Sequence, residues 1–149
     1  AAFYARALFE ELGADACTAS PYLGRDSLMP FLDYEDRCTF VLARTTNDGA
    51  ADFQDACTCN DVPLHRHVGK RVNAWATEAN VTAGLVVGAT APDALATVRE
   101  DCPTLPFLVP GVGAQGGDPS RSILYAGSGS RYAEAAAEAA EHLRDALHS

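Results

Sequence analysis

The sequence predicts an α/β fold built on a parallel sheet. Four short segments, 15–19, 38–43, 84–87 and 107–109, are apolar and rich in β-forming residues. Stretches with helical spacing of apolar residues separate them, and the gaps between strands are long enough for crossovers, which take about a dozen residues or more. Alternation of strand and helix along one chain is the pattern of a parallel sheet with helices packed on it.

The elements follow in order. Residues 2–12 place Phe3, Ala7, Phe9 and Leu12 among polar positions at helical spacing, with Gly13 as the stop. Asp15–Ala19 reads as a short strand closed by Ser20-Pro21. Asp26 is placed to cap a short helix running to Asp33. Cys38–Ala43 reads as a strand buried on both faces, and a polar loop, Thr45–Gln54, follows it. Residues 55–62 carry no clear periodicity. Pro63 opens a helix with Leu64, Val68, Val72 and Trp75/Ala76 on one face. Gly84–Val87 is a second buried strand, Pro92–Glu100 a helix and Phe107–Val109 a strand. A glycine-rich loop, Gly111–Asp118, comes next, and the alanine-rich stretch from Ser130 to Leu147 closes the chain as a helix.

The 149 residues, 48% hydrophobic and 21% charged, are of single-domain length and suffice for a core. They exclude a disordered tail, a collagen-like repeat and a coiled coil. No apolar run nears the roughly 20 residues that span a bilayer, and no signal peptide is visible, so the expectation is a soluble, cytoplasmic protein. Twenty acids against eleven bases give a formal charge of −9, with Lys70 the one lysine. Such a surface repels nucleic acid and anionic lipid, so neither is an expected partner. Scarce lysine with high acidity is also what a salt-rich cytoplasm favours. Five cysteines, an odd number in a chain with a normal core, point to free thiols and not a disulfide framework.

Two architectures compete, an open doubly wound sheet and a (β/α)8 barrel. Length favours the open sheet, because a barrel usually takes about 250 residues. A local anomaly argues the other way. After Gly116-Gly117-Asp118 a crossover helix and another strand are due, yet two residues later the chain reads Arg121-Ser122-Ile123-Leu124-Tyr125. The expectation is a chain lacking its front part and an internal segment near 118–120.

The loop Pro110–Asp118 is the most informative stretch. Its four glycines allow close backbone approach to a ligand, and successive bare N–H groups make an anion nest, with Gln115 adding an amide donor. Gly111, Gly113 and Gly116 also match G-x-G-x-x-G, but that dinucleotide fingerprint needs a helix directly after it, and this loop runs into Asp118-Pro119. A phosphate cradle is the preferred reading and a plain turn the alternative. Arg121 is placed to fork onto a phosphate held there, or is a surface arginine. The segment 45–54 leaves the C-terminal end of a strand, where α/β proteins build sites; its hydroxyls and amide suit a flat polar ring, or else cap a turn. Cys57-x-Cys59 with His65-x-His67 has zinc-type ligands at poor spacing, which favours ordinary thiols and solvated histidines; no metal is expected. Gly127-Ser128-Gly129-Ser130 lacks the spacing of a nucleophile elbow.

These pieces together resemble the orotidine 5′-phosphate decarboxylase family in its longer bacterial and archaeal subtype. The matching stretches are collinear: Asp15-Ala16-Cys17-Thr18 with 21–28, Phe40–Asn47 with Gly49 and Ala51–Gln54, Gly84–Thr90, the loop 110–118, and Ser120–Ala126. The resemblance implies a (β/α)8 barrel of which residues 1–149 supply roughly the second half as a single partial domain, strands four to seven. It implies a homodimer that converts orotidine monophosphate to UMP and carbon dioxide with neither metal nor cofactor. Gln115 and Arg121 would hold the phosphate, backbone at Pro110, Val112 and Ser120 would line the pocket, and Thr46 would lie beside the pyrimidine.

One departure stands out. The family's proton donor and carboxylates lie in a D-x-K-x-x-D motif expected just upstream of Ala1, and no such motif occurs here. Lys70, mid-helix beside Arg71, is no substitute, so no catalytic residue is assigned within the chain. Two rival readings are a non-catalytic phosphate-ligand or nucleotide-binding protein of the same fold, and a dinucleotide-dependent oxidoreductase on an open sheet. In the complete protein, Arg121→Ala is expected to raise KM strongly, and to lower kcat if loop closure depends on the phosphate grip. Steady-state kinetics check this, and unchanged constants remove Arg121 from the site.

Overall fold

The structure, a computed structural model, describes residues 1–112 and 115–117. The predicted helix at 130–147, the Gly127–Ser130 stretch, Ser120 and Arg121 lie outside the described residues. Four strands, β1 (Ala16–Ala19), β2 (Cys38–Arg44), β3 (Ala83–Val87) and β4 (Phe107–Leu108), form one sheet in the order β1-β2-β3-β4. Every pairing is parallel, with Ala16 beside Cys38, Val41 beside Leu85, and Leu85 beside Phe107. This order settles the architecture. Each crossover steps to the next strand in the same direction, so right-handed crossovers leave all helices on one face. A doubly wound sheet must reverse direction at a switch point, and these strands do not. They are a continuous arc of a (β/α)8 barrel, and the open sheet that length favoured is excluded.

Between the strands lie α2 (Arg25–Leu32), the short α3 (Ala51–Gln54), α4 (Leu64–Ala79) and α5 (Pro92–Asp101), and α1 (Ala2–Arg6) precedes them. The core is the layer between helices and sheet: Leu28 and Leu32 from α2, Val72 and Trp75 from α4, Leu95 and Val98 from α5, against Val41, Ala43, Leu85 and Val87. Burying each such side chain stabilises the fold by roughly 1.5–3 kcal/mol.

Several local expectations need correction. The first helix buries Ala5 and Phe9, while Phe3 and Leu12 are 86% and 76% exposed. Its second half, Ala7–Glu11, is π-helical, and the wider turn moves Leu12 off the face that helical spacing assigns it. Gly24 and not Asp26 is the N-cap of α2; Asp26 sits in the first turn. Strand β2 is buried on one face only, its residues alternating between half-buried and buried. Strand β4 ends at Leu108, one residue short of Val109. The unreadable stretch 55–62 is a tight excursion: Cys57 bridges Pro63 antiparallel, and Asp61 takes a left-handed conformation.

Two polar devices fasten the outer layer. Asp101 at the end of α5 takes a two-pronged hydrogen bond from Arg66 of α4, at 2.7 and 2.9 Å, with Lys70 at 3.4 Å. Lys70 is thereby committed to the helix layer. Burial pushes the Asp101 carboxyl up, but the hydrogen bond and charges of Arg66 and Lys70 outweigh it, and its pKa falls below the usual value. Arg99, 8% exposed, donates to the carbonyls of Cys102, Pro103 and Leu105 at 3.2, 3.4 and 2.8 Å, and its guanidinium lies 3.6 Å from the Phe107 ring centre. It shapes the turn that delivers β4.

Arg99→Ala is expected to lower unfolding free energy by about 2–4 kcal/mol, since buried carbonyls lose their donor, as read by urea denaturation of the full-length protein. A carboxyl with a depressed folded pKa contributes stability above its unfolded value and loses it as pH falls through the folded one. Stability is therefore expected to drop below about pH 4, and Asp101→Asn to flatten that slope in melting curves taken across acidic pH.

Candidate functional site

The site is built at the C-terminal ends of β2, β3 and β4, where backbone hydrogen bonds stitch three outgoing loops together. Gly88 N–H donates to Arg44 C=O at 2.7 Å and Ala89 N–H to Pro110 C=O at 2.8 Å. The glycine loop closes on itself through Gly117 N–H to Gly111 C=O, 3.0 Å, and a bridge between Val112 and Gly117. One amide of the expected anion nest is thus spent on closing the turn.

Two glycines let the loops meet. A Cβ on Gly88 would lie 2.5 Å from Thr46 Cγ2 and 3.2 Å from the Thr46 nitrogen. A Cβ on Gly111, whose φ is +91°, would lie 2.8 Å from both Thr46 Cγ2 and Gln115 Oε1. Any side chain at either position would push Thr46 away. The structure therefore converges Thr46, Pro110, Val112 and Gln115, residues 64 or more positions apart from the first to the others. Ser120 and Arg121, expected beside them, lie outside the described residues.

The two adjacent threonines have different surroundings. The Gln54 carboxamide accepts the Thr45 N–H at 2.7 Å and donates to the Thr45 hydroxyl at 2.9 Å, and that hydroxyl donates to Asn47 Oδ1 at 2.6 Å. Thr45 is fully engaged within the loop. The Thr46 hydroxyl has no hydrogen bond among the described residues, and its methyl is the group wedged against the glycines.

A network that sequence reasoning missed secures the loop's base. A β-bulge after Leu42 places Arg44 beside Val87 and shifts the pairing register. The guanidinium binds Asp55 with two hydrogen bonds, 2.8 and 3.0 Å, and the Thr45 carbonyl at 2.6 Å. The Arg44 hydrogen bond holds the Asp55 carboxyl below its usual pKa against the opposing effect of burial, with the charges of Arg44 and His65 assisting. His65, expected to be solvated, is 7% exposed, with Nδ1 at 2.8 Å from the Gln54 carbonyl and 3.3 Å from Asp55. A carbonyl only accepts, so Nδ1 carries the proton. His65 is buried because helix α4 begins one residue earlier and turns this ring under the loop.

Cys57, Cys59 and His67 are exposed, and all five thiols are free. Among the described residues no three His, Cys, Asp or Glu side chains gather as a metal site. A groove of about 800 Å³ lies between Tyr22, Phe53 and the α4 residues His67, Arg71 and Trp75. Leu42, Ala43 and Gln54 also line it.

Comparison with known proteins decides the family. The model of the orotidine 5′-phosphate decarboxylase / HUMPS family matches residues 1–142. The chain belongs to this family. A curated orotidine 5′-phosphate decarboxylase from Dehalococcoides mccartyi is 46% identical over 167 aligned positions, covering 97% of this chain and 61% of the relative. The chain spans about three fifths of the length of the curated relatives it matches. The aligned stretch exceeds the chain's own 149 residues, so the relative carries residues within it that this chain lacks. Among solved structures, Leishmania donovani UMP synthase is 50% identical at a TM-score of 0.77, covering 85% of this chain and 28% of that one. Leishmania donovani OMP decarboxylase is 40% identical at a TM-score of 0.76, covering 99% and 63%.

The wedge makes a coupled prediction. Gly88→Ala is expected to destabilise by about 1–3 kcal/mol through overpacking, and adding Thr46→Ser, which removes the colliding methyl, to recover part of that loss. A double-mutant cycle of melting temperatures checks it; strictly additive effects would separate Thr46 from Gly88.

Proposed function

We propose that the complete protein decarboxylates orotidine 5′-monophosphate to UMP and carbon dioxide, the activity named for its relatives. The observation that carries this reading is the convergence of Thr46 and Gln115 on Gly111, at the strand ends of a chain of this family. Thr46, with its uncommitted hydroxyl, faces the pyrimidine. Gln115, the backbone around Pro110 and Val112, and Ser120 and Arg121 grip the phosphate. The barrel works as a cytoplasmic homodimer, without metal or cofactor, and its acidic surface disfavours nucleic acid and membrane partners. Among the described residues no helix is long and apolar enough to cross a membrane.

The chemistry explains why a remote grip matters. When the bond from C6 to the carboxylate breaks, the electron pair stays on C6 as a vinyl carbanion that no ring orbital absorbs. A fixed ammonium must stabilise that charge and then protonate C6. That ammonium belongs to the D-x-K-x-x-D motif expected upstream of Ala1. The residues in hand supply binding: phosphate and pyrimidine contacts far from C6 help close the site and exclude water, which strengthens the ammonium's field.

Absence of D-x-K-x-x-D from these 149 residues keeps a second reading in view, a nucleotide-binding protein of the same fold without catalysis. Ultraviolet monitoring of orotidine monophosphate with the full-length protein separates the two. Turnover is expected; UMP binding without turnover would favour the second reading. In the active protein Thr46→Ala is expected to raise KM about tenfold, the effect of one lost hydrogen bond to the base.

A further inference from the structure

Between the end of β2 and the start of α4 the chain makes a tight detour, and several of its side-chain hydrogen bonds bear on one residue, Thr45. Gln54 Oε1 takes the Thr45 N–H, Gln54 Nε2 donates to the Thr45 hydroxyl, and Arg44 Nη1 takes the Thr45 carbonyl. Both polar backbone groups of Thr45, and its side chain, are therefore set by two residues. Those two are themselves anchored. Arg44 is locked by both oxygens of Asp55, and the Gln54 carbonyl is held by buried His65. The bulge in β2 aims the Arg44 guanidinium, 14% exposed, at Asp55.

We propose that Gln54, braced by the Arg44–Asp55 pair, is a positioning residue for the pyrimidine half of the ligand. This inference rests on the proposed reading of the site as one for a pyrimidine nucleotide. With the Thr45 peptide fixed on both sides, the next residue has no freedom to swing. Thr46 enters with its methyl seated between Gly88 and Gly111, and its hydroxyl is presented at one place and angle. A hydroxyl held this way recognises a ring amide or carbonyl without first losing rotational and loop entropy. The arrangement also removes a charge: Arg44 sits two residues from Thr46, yet its cation is paired with Asp55, so the base meets neutral donors. Among the described residues, the glycine loop after β4, where the phosphate end would sit, shares none of these bonds. Loss of Gln54 is therefore felt by the base and not by the phosphate.

The test compares two probes on the full-length protein by calorimetry: UMP, which carries base and phosphate, and ribose 5-phosphate, which carries the phosphate alone. Gln54→Ala is expected to weaken UMP about ten- to a hundredfold and to leave ribose 5-phosphate within about twofold. Gln54→Glu keeps an acceptor for the Thr45 N–H and is expected to recover most of the UMP affinity. Asp55→Asn, which frees the Arg44 fork, is expected to show the same base-selective loss in milder form. Unchanged UMP binding in Gln54→Ala overturns the proposal, as does equal weakening of both probes, which would mark a merely structural role. If the unmutated protein binds ribose 5-phosphate but gains nothing from the base of UMP, the reading of the site as one for a pyrimidine nucleotide falls, and this inference with it.

Discussion

The contact on which the site depends is the Thr46 methyl against two glycines. It exists because Gly88 N–H reaches the Arg44 carbonyl at 2.7 Å, drawing the loops after β2 and β3 together more closely than side chains would permit. From that pinch the rest follows. The loop after β4 joins through Ala89 and Pro110, Gln115 folds toward Gly111, and a bound ligand would face backbone from three consecutive strands. A parallel sheet with sequential order makes this possible, since all strands deliver their loops to the same end.

Charge is managed with the same economy. The chain is strongly acidic, and several of its described cations are paired with carboxylates: Arg66 and Lys70 with Asp101, Arg25 with Glu78, Arg37 with Asp15, Arg44 with Asp55. The exposed pairs contribute little to stability.

Much of the architecture was legible in the residues. Strands at 38–43 and 84–87 and the helix after Pro63 announce themselves through apolar periodicity, and the structure has them within a residue or two. Thr46 and the glycine loop could be singled out because their residue types and strand-end location are local properties. Other features could not. The alternation of β2 gives no hint of the bulge that redirects Arg44. Nothing near Thr45 marks Gln54, nine residues on, as its partner, and His65 beside His67 looks like a surface pair until the helix buries one of them. The one signal of the network in the sequence is the spacing itself, a strand-terminal arginine followed by Gln54-Asp55 ahead of a helix.

Sequence by itself determined the class of fold, the family and the acidic surface, and singled out the glycine loop and Thr46 as candidates, because periodicity, composition and motif are written along one dimension. Only the tertiary structure decided that the sheet is a barrel arc, that the Thr45 hydroxyl is engaged while that of Thr46 has no partner among the described residues, and that Arg44 pairs with Asp55. Those outcomes depend on strand order, register and the distance between segments far apart in the chain, and such distances are set by packing and not by neighbours.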